Sequence, residues 1–445
     1  MITKKLLLLA VPAMAMGALT GCSQHYDVTL IVYNWADYIY NGTDDTGTVV
    51  DKSVVKRFQE YYQQKYEKTI KVSYRTFGTP EIMYSQIQAQ IKAGKKTPDL
   101  ICPSDYMIQK MANEGMLEKF SYNESTGKYG DSLKNFADYG SPFIKERFAS
   151  VKLNDNNSFL TYAVPYFWGT MGFTYDPTYF SEADVSSWEC LWNKTSKFQN
   201  QFSLKDSMRD TYVTAIFHVY KDEIAALDEN ASDYNAKLTA IFNRCDDATL
   251  DKVEAALKEA KKTTVNSFEV DEGKDEIVKG KYHANLAWSG DAIYAMDSAE
   301  EGEPAKRLCY SLPNEGSNVW FDGWCMPKGA DKETAEEFVN FISSPAIAKL
   351  NMEYVGYTSP IVGDEIWSYV EDTYAADEKE TDTYEVDLSF YFGKEAIIEI
   401  PTSEKGRQFD AQYPTQEVLK KCCMMNDFGA QTEKVSDMWI KVKAA

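Results

Sequence analysis

Histidine is scarce in this chain of 445 residues: His25, His218 and His283 are its only three, and they lie far apart in sequence. The eight cysteines form no CxxC pair and no cluster with a histidine, so zinc or haem ligation has little support. The chain also lacks a nucleophile elbow, an H-E-x-x-H motif and a recognisable catalytic pairing of serine with histidine. The sequence therefore predicts no metal site, no cofactor and no catalytic residues.

Basic residues are outnumbered, with 47 lysines and arginines against 68 aspartates and glutamates, which gives a net charge of −21. This charge repels a phosphate backbone and argues against nucleic acid as a partner. It suits a cationic ligand, although a purely solubilising acidic surface would give the same composition. The length predicts two domains, and a hydrophobic content of 44% with 26% charged residues predicts a globular protein.

One short apolar stretch lies at the amino terminus, too short to cross a bilayer. It follows the basic pair Lys4 and Lys5 and ends in small residues, the pattern of a secretory signal peptide over residues 1–21. The Leu-Thr-Gly-Cys tetrad ending at Cys22 resembles the lipobox of bacterial lipoproteins, which implies cleavage before Cys22 and a lipid on its thiol. We therefore expect an extracytoplasmic chain, anchored to a bacterial membrane through a tether at residues 22–26. The alternative is an ordinary signal peptide with a chance cysteine.

The remaining seven cysteines are odd in number, so they cannot all pair within one chain. We interpret most of them as small buried hydrophobic residues.

Strand-like and helix-like segments alternate along the first part of the mature chain. Strands are predicted over residues 28–33, 70–77 and 99–102, and helices over residues 54–66, 82–91 and 106–113. Such alternation predicts an α/β fold with a mostly parallel sheet and helices on both faces. Ligands of these sheets bind beyond the carboxyl ends of the strands, so a site is expected in the loops at residues 34–38 and 103–106.

Tryptophan, tyrosine and aspartate occur together in several short segments. An ammonium group in a binding site needs carboxylates or other acceptors, and the methylenes of a linear polyamine need apolar walls. Aromatic faces also attract the cation by about 0.5–2 kcal/mol. Clusters of this composition are Trp35/Asp37/Tyr38, Ser104/Tyr106, Arg209/Asp210, Trp288/Asp291 and Trp320/Asp322. The alternative for each is a core aromatic beside a surface acid, and the pattern alone does not show that the clusters converge in space.

A series of motifs in the same order resembles the spermidine/putrescine-binding proteins of ABC transporters. They are YNWADYI at 33–39, DLICPS at 99–104, VPYFWGT at 164–170, AWSGDA at 287–292, PNEG at 313–316 and VGYTSP at 355–360. The resemblance covers nearly the whole mature chain. It implies a monomeric binding protein, not an enzyme, that captures a polyamine and delivers it to an ABC transporter permease.

The same resemblance implies the architecture. Two lobes, each a mostly parallel sheet flanked by helices, would be joined by hinge crossovers and close on the ligand. The first lobe would hold residues 27–163 and 319–359. The second would hold residues 164–318 and 360–445.

Roles for individual side chains also follow from the matching motif positions. Trp35 and Tyr38 would wall the methylene chain, and Tyr106 would help to close the pocket. Asp37 and Ser104 would accept hydrogen bonds from ammonium groups. The other ligand-binding side chains would be Asp210, Trp288, Asp291, Trp320 and Asp322. Ser207 stands where a spermidine-type site would have a second aspartate, so the preferred polyamine is left open.

Two other functions fit parts of the pattern. A carbohydrate-binding protein of the same fold would also stack Trp and Tyr on its ligand, but a sugar site usually mixes acids with Lys, Arg and Asn. The clusters here are acid-rich and nearly free of lysine. A secreted hydrolase that uses two carboxylates is also compatible with the composition, because acidic residues are plentiful.

Overall fold

The computed structural model describes residues 25–43 and 47–445. The predicted signal peptide over residues 1–21 and the predicted lipidation site Cys22 lie outside the described residues. Among the helices of the described part, none is both long and apolar enough to cross a membrane.

Strands and helices alternate one by one up to residue 113, and runs of several strands or several helices occur in the rest of the described chain. The strands are β1 (Val28–Asn34), β2 (Ile70–Thr76), β3 (Leu100–Ile101), β4 (Leu117–Glu118), β5 (Tyr122–Asn123), β6 (Lys128–Tyr129), β7 (Val164–Tyr175), β8 (Phe202–Lys205), β9 (Val265–Glu269), β10 (Ala284–Trp288), β11 (Cys309–Ser311), β12 (Ser317–Trp324), β13 (Met326–Pro327), β14 (Thr383–Asp387), β15 (Ile397–Pro401) and β16 (Cys422–Cys423). The helices are α1 (Val54–Tyr66), α2 (Pro80–Lys92), α3 (Asp105–Asn113), α4 (Lys134–Tyr139), α5 (Pro142–Ser150), α6 (Glu182–Val185), α7 (Asp210–Val219), α8 (Lys221–Ala225), α9 (Tyr234–Phe242), α10 (Asp247–Thr263), α11 (Glu272–Val278), α12 (Ser289–Glu300), α13 (Lys332–Ile342), α14 (Pro345–Val355), α15 (Asp364–Tyr374), α16 (Ser389–Phe392), α17 (Gln408–Gln412), α18 (Gln416–Lys420) and α19 (Thr432–Ala444). The strands and helices predicted before residue 114 are confirmed to within two residues at their ends.

The first sheet has the strand order β2-β1-β3, and both of its strand pairs are parallel. Leu30 and Val32 of β1 are fully buried. Parallel neighbours need a connection that crosses back over the sheet, and α1 and α2 provide these connections. Ser53 caps α1 and Thr79 caps α2, each by accepting a hydrogen bond from a backbone amide of the first turn. The carboxyl ends of β1 and β3 therefore open toward one edge of the sheet.

The second sheet has the strand order β16-β12-β7-β10-β8-β9, with β11 also paired to β7. Strand β8 is parallel to β9 and β10, whereas the long strand β7 runs antiparallel to β10, β11 and β12. Strand β12 and the residue that follows it are also bridged to β3 and the loop after it, because Ile101 pairs with Cys325 and Ser104 pairs with Asp322. Strands β7 and β12 are thus the crossovers between the two lobes.

Two large hydrophobic cores define these lobes. One contains Leu30 and Trp324, and the other contains Trp188 and Phe217. The first half of β7 packs in the first core and its second half in the second core, so every residue of this strand is buried. The predicted fold class, a two-lobed α/β protein, is confirmed.

One predicted lobe boundary is wrong. The prediction assigns residues 360–445 to the second lobe, but Val370 and Ile400 are buried in the first core. Helix α15 packs on α14, and α16 packs on α5, so this part of the chain forms an outer layer on the first lobe. The chain enters the second core at Cys423, and α19 then packs there through Val435 and Trp439.

Candidate functional site

Asp322 lies on β12, where this strand passes the carboxyl end of β3. Its carboxylate accepts a hydrogen bond from Tyr38 Oη at 2.6 Å and another from Ser104 Oγ at 2.7 Å. Tyr38 follows β1, and Ser104 follows β3, so the ends of both strands supply donors to the same carboxylate. Three residues of the predicted site therefore meet at one buried position.

Asp322 is only 5% exposed, and burial raises its pKa to about 6, although the hydrogen bonds from Tyr38 and Ser104 act to lower it. Within the described residues, no lysine or arginine forms an ion pair with this carboxylate. A buried carboxylate that has neutral donors but no cation is costly as an anion, and an incoming cation removes that cost.

A second buried acid, Asp105, stands at the start of α3. Burial raises the pKa of Asp105 to about 8, and the negative charge of Asp322 acts in the same direction. Its carboxylate accepts hydrogen bonds from the backbone amides of Tyr106 at 2.7 Å and Phe321 at 3.3 Å. These contacts hold α3 against β12 directly behind the Asp322 position.

Tyr357 connects this cluster to the second lobe. Its ring packs edge-to-face on Tyr38, with 5.7 Å between the ring centroids, and on Trp320, with 5.2 Å. Its hydroxyl donates to Asp291 Oδ1 at 3.3 Å. The absence of a side chain at Gly290 allows this approach, because a Cβ there would lie 1.3 Å from the Tyr357 ring. The rings of Tyr38, Tyr357 and Trp320 form what we call the aromatic wall.

Asp291, in the first turn of α12, already has cationic partners within the chain. Lys205 Nζ lies 2.8 Å from one carboxylate oxygen, and Lys274 Nζ lies 3.3 Å from the other. Lys205 ends strand β8, and its side chain is only 2% exposed. Its ammonium also donates to the Val270 carbonyl at 3.0 Å and lies 3.9 Å from the centroid of the Trp288 ring.

These two lysines neutralise the Asp291 carboxylate of the site in the second lobe. Burial by itself raises the pKa of Asp291, but the positive charges of Lys205 and Lys274 outweigh burial, and the net pKa lies below its ordinary value. The sequence interpretation that the clusters are nearly free of lysine is therefore wrong. Lys205 was overlooked because it is distant in sequence from the acid that it pairs with.

Asp210 begins α7 and faces Trp288. Trp288 Nε1 donates to Asp210 Oδ1 at 3.3 Å, and Ser207 Oγ accepts a hydrogen bond from the Asp210 amide at 3.1 Å. Asp210 is 8% exposed, and in the described part of the chain it forms no ion pair with a lysine or arginine. Ser207 thus fixes the start of the helix that carries Asp210.

Tyr106 lies at a contact between the lobes. The guanidinium carbon of Arg209, in the second lobe, lies 3.7 Å from the centroid of the Tyr106 ring. The Tyr106 hydroxyl donates to Glu81 at 3.0 Å. This cation–π contact joins α3 to the start of α7, so Tyr106 contacts the opposite lobe, and its role in closing the pocket stays a prediction.

Trp35 and Asp37 lie apart from the contacts around Asp322 and Asp291. Trp35 is half-buried and packs on Phe77 with 4.9 Å between the ring centroids. Its Nε1 is buried without a hydrogen-bond partner among the residues that the structure describes. Asp37 is exposed, and its φ of 51° places it in the left-handed region. The other eight predicted residues take part in the contacts around Asp322, Asp291 and Asp210 or in the contact between Tyr106 and Arg209, whereas Trp35 and Asp37 lie in the loop beside them.

Sequence reasoning missed Lys205, Lys274 and Tyr357 as members of the site. Lys205 had a usable signal, since it ends a buried strand at the carboxyl edge where ligands bind. Tyr357 lies within the VGYTSP motif, but the motif gave no reason to single it out. Lys274 lies on a short helix without any local signal.

The arrangement combines three parts that suit a chain-like cation. Asp322 provides an uncompensated carboxylate, the aromatic wall provides an apolar surface, and Asp210 provides a second acid with neutral partners. Among residues 25–43 and 47–445, no group of three or more His, Cys, Asp or Glu side chains could hold a metal ion.

Comparison with known proteins finds chains that are similar in sequence and in fold. The spermidine/putrescine-binding periplasmic protein of Salmonella typhimurium is 27% identical over 356 residues, which cover 79% of this chain and 83% of that protein. The putrescine-binding periplasmic protein SpuD of Pseudomonas aeruginosa is 24% identical over 440 residues, which cover 96% of this chain and 95% of that protein.

Solved structures share the fold. The spermidine/putrescine ABC transporter substrate-binding protein PotD of Streptococcus pneumoniae, in complex with calcium and HEPES, has a TM-score of 0.60 and 24% identity, covering 94% of this chain and 98% of that one. The sequence model of the bacterial extracellular solute-binding proteins matches residues 53–365, well over half of the chain. This chain belongs to the family of bacterial extracellular solute-binding proteins.

Proposed function

We propose that this protein captures a polyamine of the putrescine/spermidine class outside the cytoplasm and delivers it to the permease of an ABC transporter. The observation that carries the proposal is the buried Asp322 carboxylate, which has two neutral hydrogen-bond donors and no cation among the described residues. Relatives whose names state that they bind spermidine or putrescine support it.

The chemistry of a polyamine matches the parts of this site. One ammonium group would pair with Asp322 and another with Asp210, while the methylenes between them would lie along the aromatic wall. Charge-assisted hydrogen bonds to buried carboxylates are about twice as strong as neutral ones. Trp35, Asp37 and Tyr106 would line the entrance.

Contact with both lobes would couple binding to closure. Asp322 and Ser104 belong to the first lobe, and Asp210 and Trp288 to the second. A ligand that touches both lobes binds the closed arrangement better and shifts the population toward it. The lobes would move about β7 and β12, and the closed form would then be the one that the permease recognises.

Attachment to the membrane would follow from the sequence around Cys22. We propose lipidation of that thiol after cleavage at residue 21, with residues 22–26 as the tether. Two or more acyl chains anchor a protein stably, whereas a single chain does not. The protein would act as a monomer, because one chain supplies both sides of the cleft.

Isothermal titration with putrescine, cadaverine, spermidine and spermine tests the proposal. We expect saturable binding of at least one amine, and at a ligand concentration of 100 Kd a gain in unfolding free energy of about 2.7 kcal/mol, seen as a higher Tm. Absence of binding at millimolar concentration for all four amines would overturn the proposal. Binding of a sugar instead would favour the carbohydrate-binding alternative, and turnover of a chromogenic glycoside would favour a hydrolase.

The affinity for amines is expected to depend on pH through Asp322. Because its pKa in the ligand-free protein is about 6, the carboxylate is mostly protonated at pH 5 and mostly ionised at pH 7. An ammonium group needs the ionised form, so affinity should fall about tenfold between pH 7 and pH 5. The folded-state pKa is raised, so Asp322 destabilises the ligand-free fold progressively as pH rises from about 4 to 6. Isothermal titration with the amine at pH 5, 6 and 7 measures the change in affinity, and an equal affinity at all three values would contradict the predicted fall.

A further inference from the structure

The buried ammonium of Lys205 has the same kinds of partner that the ammonium group of a bound ligand would need. It pairs with Asp291 at 2.8 Å, donates to the Val270 carbonyl at 3.0 Å and lies 3.9 Å from the centroid of the Trp288 ring. A carboxylate, a carbonyl and an aromatic face together satisfy the charge and the N–H donors of an alkylammonium. The Trp288/Asp291 cluster is therefore filled by a cation of the chain itself.

The three buried aspartates of the predicted site consequently differ in whether a lysine of the chain neutralises them. Asp291 has two lysine partners, since Lys274 Nζ also lies 3.3 Å from its second oxygen. In the described part of the chain, Asp322 and Asp210 receive hydrogen bonds from neutral groups and have no ion pair with a lysine or arginine. Two buried acids are thus left for ligand ammonium groups.

Displacement of Lys205 by a ligand is unfavourable. The side chain is 2% exposed, and it comes from a strand whose residues are all buried. Removing Asp291 from Lys205 would leave the lysine as a buried and unpaired charge, which is one of the most costly arrangements in a protein interior. A third ammonium group would therefore meet a positive charge where its carboxylate partner should be.

We propose that Lys205 is a specificity-determining residue that takes the place of one ligand ammonium, so that the site selects a linear diamine over a triamine. This inference rests on the proposed function. Lys274 supports it by holding the second oxygen of Asp291, and Ser207 agrees with it, because a serine there offers no additional carboxylate.

The test compares binding of putrescine and spermidine by isothermal titration to the wild-type protein, to Lys205→Met, and to the double variant Lys205→Met/Lys274→Met. Methionine replaces most of the aliphatic part of the lysine side chain and removes its charge, so Lys205→Met leaves Asp291 with Lys274 alone and the double variant leaves it without a lysine partner. Lys281→Met is the matched control, because Lys281 is a half-exposed lysine of the same lobe that pairs with Glu276 instead of Asp291.

We expect the wild-type protein to bind putrescine at least tenfold more tightly than spermidine. In the double variant the ratio of the two Kd values should shift toward spermidine by at least tenfold, with a smaller shift in Lys205→Met and none in Lys281→Met. Circular dichroism and Tm establish that each variant is folded. Should the double variant fail to fold, Lys274→Met alone, which alters a partly exposed residue, is expected to shift the ratio in the same direction.

Two results would overturn the inference while leaving the proposed function intact. One is a wild-type protein that binds spermidine as tightly as putrescine. The other is a folded lysine variant whose Kd ratio equals that of the wild type. A wild-type protein that binds neither amine would instead overturn the proposed function, and this inference with it.

Discussion

Replacing Asp322 by asparagine is expected to weaken amine binding at least a hundredfold. The substitution keeps the shape of the side chain and lets Tyr38 and Ser104 retain hydrogen bonds, but it removes the charge that a ligand ammonium needs. Loss of one partner from a buried, hydrogen-bonded charge pair costs about 2–5 kcal/mol, and about 2.7 kcal/mol corresponds to a hundredfold change in Kd. Isothermal titration with the tightest-binding amine measures the loss.

Asp364→Asn is the control for this measurement. Asp364 belongs to the same lobe, begins α15 and has a side chain that is 91% exposed, so its loss should leave the Kd within a factor of two. The Asp322→Asn variant should also lose the dependence of affinity on pH between 5 and 7. An Asp322→Asn protein that binds the amine within threefold of wild type would remove the observation on which the proposed function rests.

Replacing Trp168 by alanine is expected to destabilise the fold by about 3–5 kcal/mol, the cost of deleting a large buried aromatic side chain. Trp168 lies on β7, is 1% exposed and packs on Phe321 and Tyr391. Its Nε1 donates to Tyr391 Oη at 3.0 Å, so the variant also leaves a buried hydroxyl with one partner fewer. Denaturant unfolding followed by circular dichroism measures the change in unfolding free energy.

Trp367→Ala provides the comparison for Trp168. Trp367 is half-buried on α15 and packs on Phe392 at the outer layer of the same lobe, so its removal opens a smaller cavity. We expect less than half of the loss that Trp168→Ala causes. Equal losses for the two variants, or a loss below about 1 kcal/mol for Trp168→Ala, would show that the crossover strand is not the tightly packed centre that its burial indicates.

The contrast between Trp168 and Trp320 shows what motif recognition alone leaves undecided. Trp168 lies in the VPYFWGT motif on β7, and Trp320 lies in an aromatic-rich segment on the neighbouring strand β12. Trp168 points into the first core, whereas Trp320 contacts Tyr357 in the aromatic wall. Alternate residues of a strand face opposite sides, so a shift of one position decides between core and site. Such a decision depends on strand pairing, which a single sequence does not show.

The assignment to the second lobe is wrong for the earlier part of residues 360–445, which contains Val370 and Ile400, for a related reason. The amphipathic helices of this part need an apolar surface to cover, and both lobes offer one. The helix α15 contains Ile366 and Val370 on one face, which is equally suited to either lobe. Contacts with α14 place it on the first lobe, and these depend on the path of the chain after Pro360.

Local patterns in the sequence are enough to predict the early alternation of strands and helices, the loops at the strand ends and the aromatic and acidic side chains in those loops. These features follow from periodicity and capping, which act over a few residues. The polar and charged pairs of the site follow from the fold and not from local sequence, because their members are remote in the chain: Tyr38 and Asp322 are 284 residues apart, and Lys205 and Asp291 are 86 residues apart. Such long-range pairs decide whether a buried carboxylate has a cationic partner within the chain. Asp322 and Asp291, which are similar in sequence context, therefore differ in charge compensation.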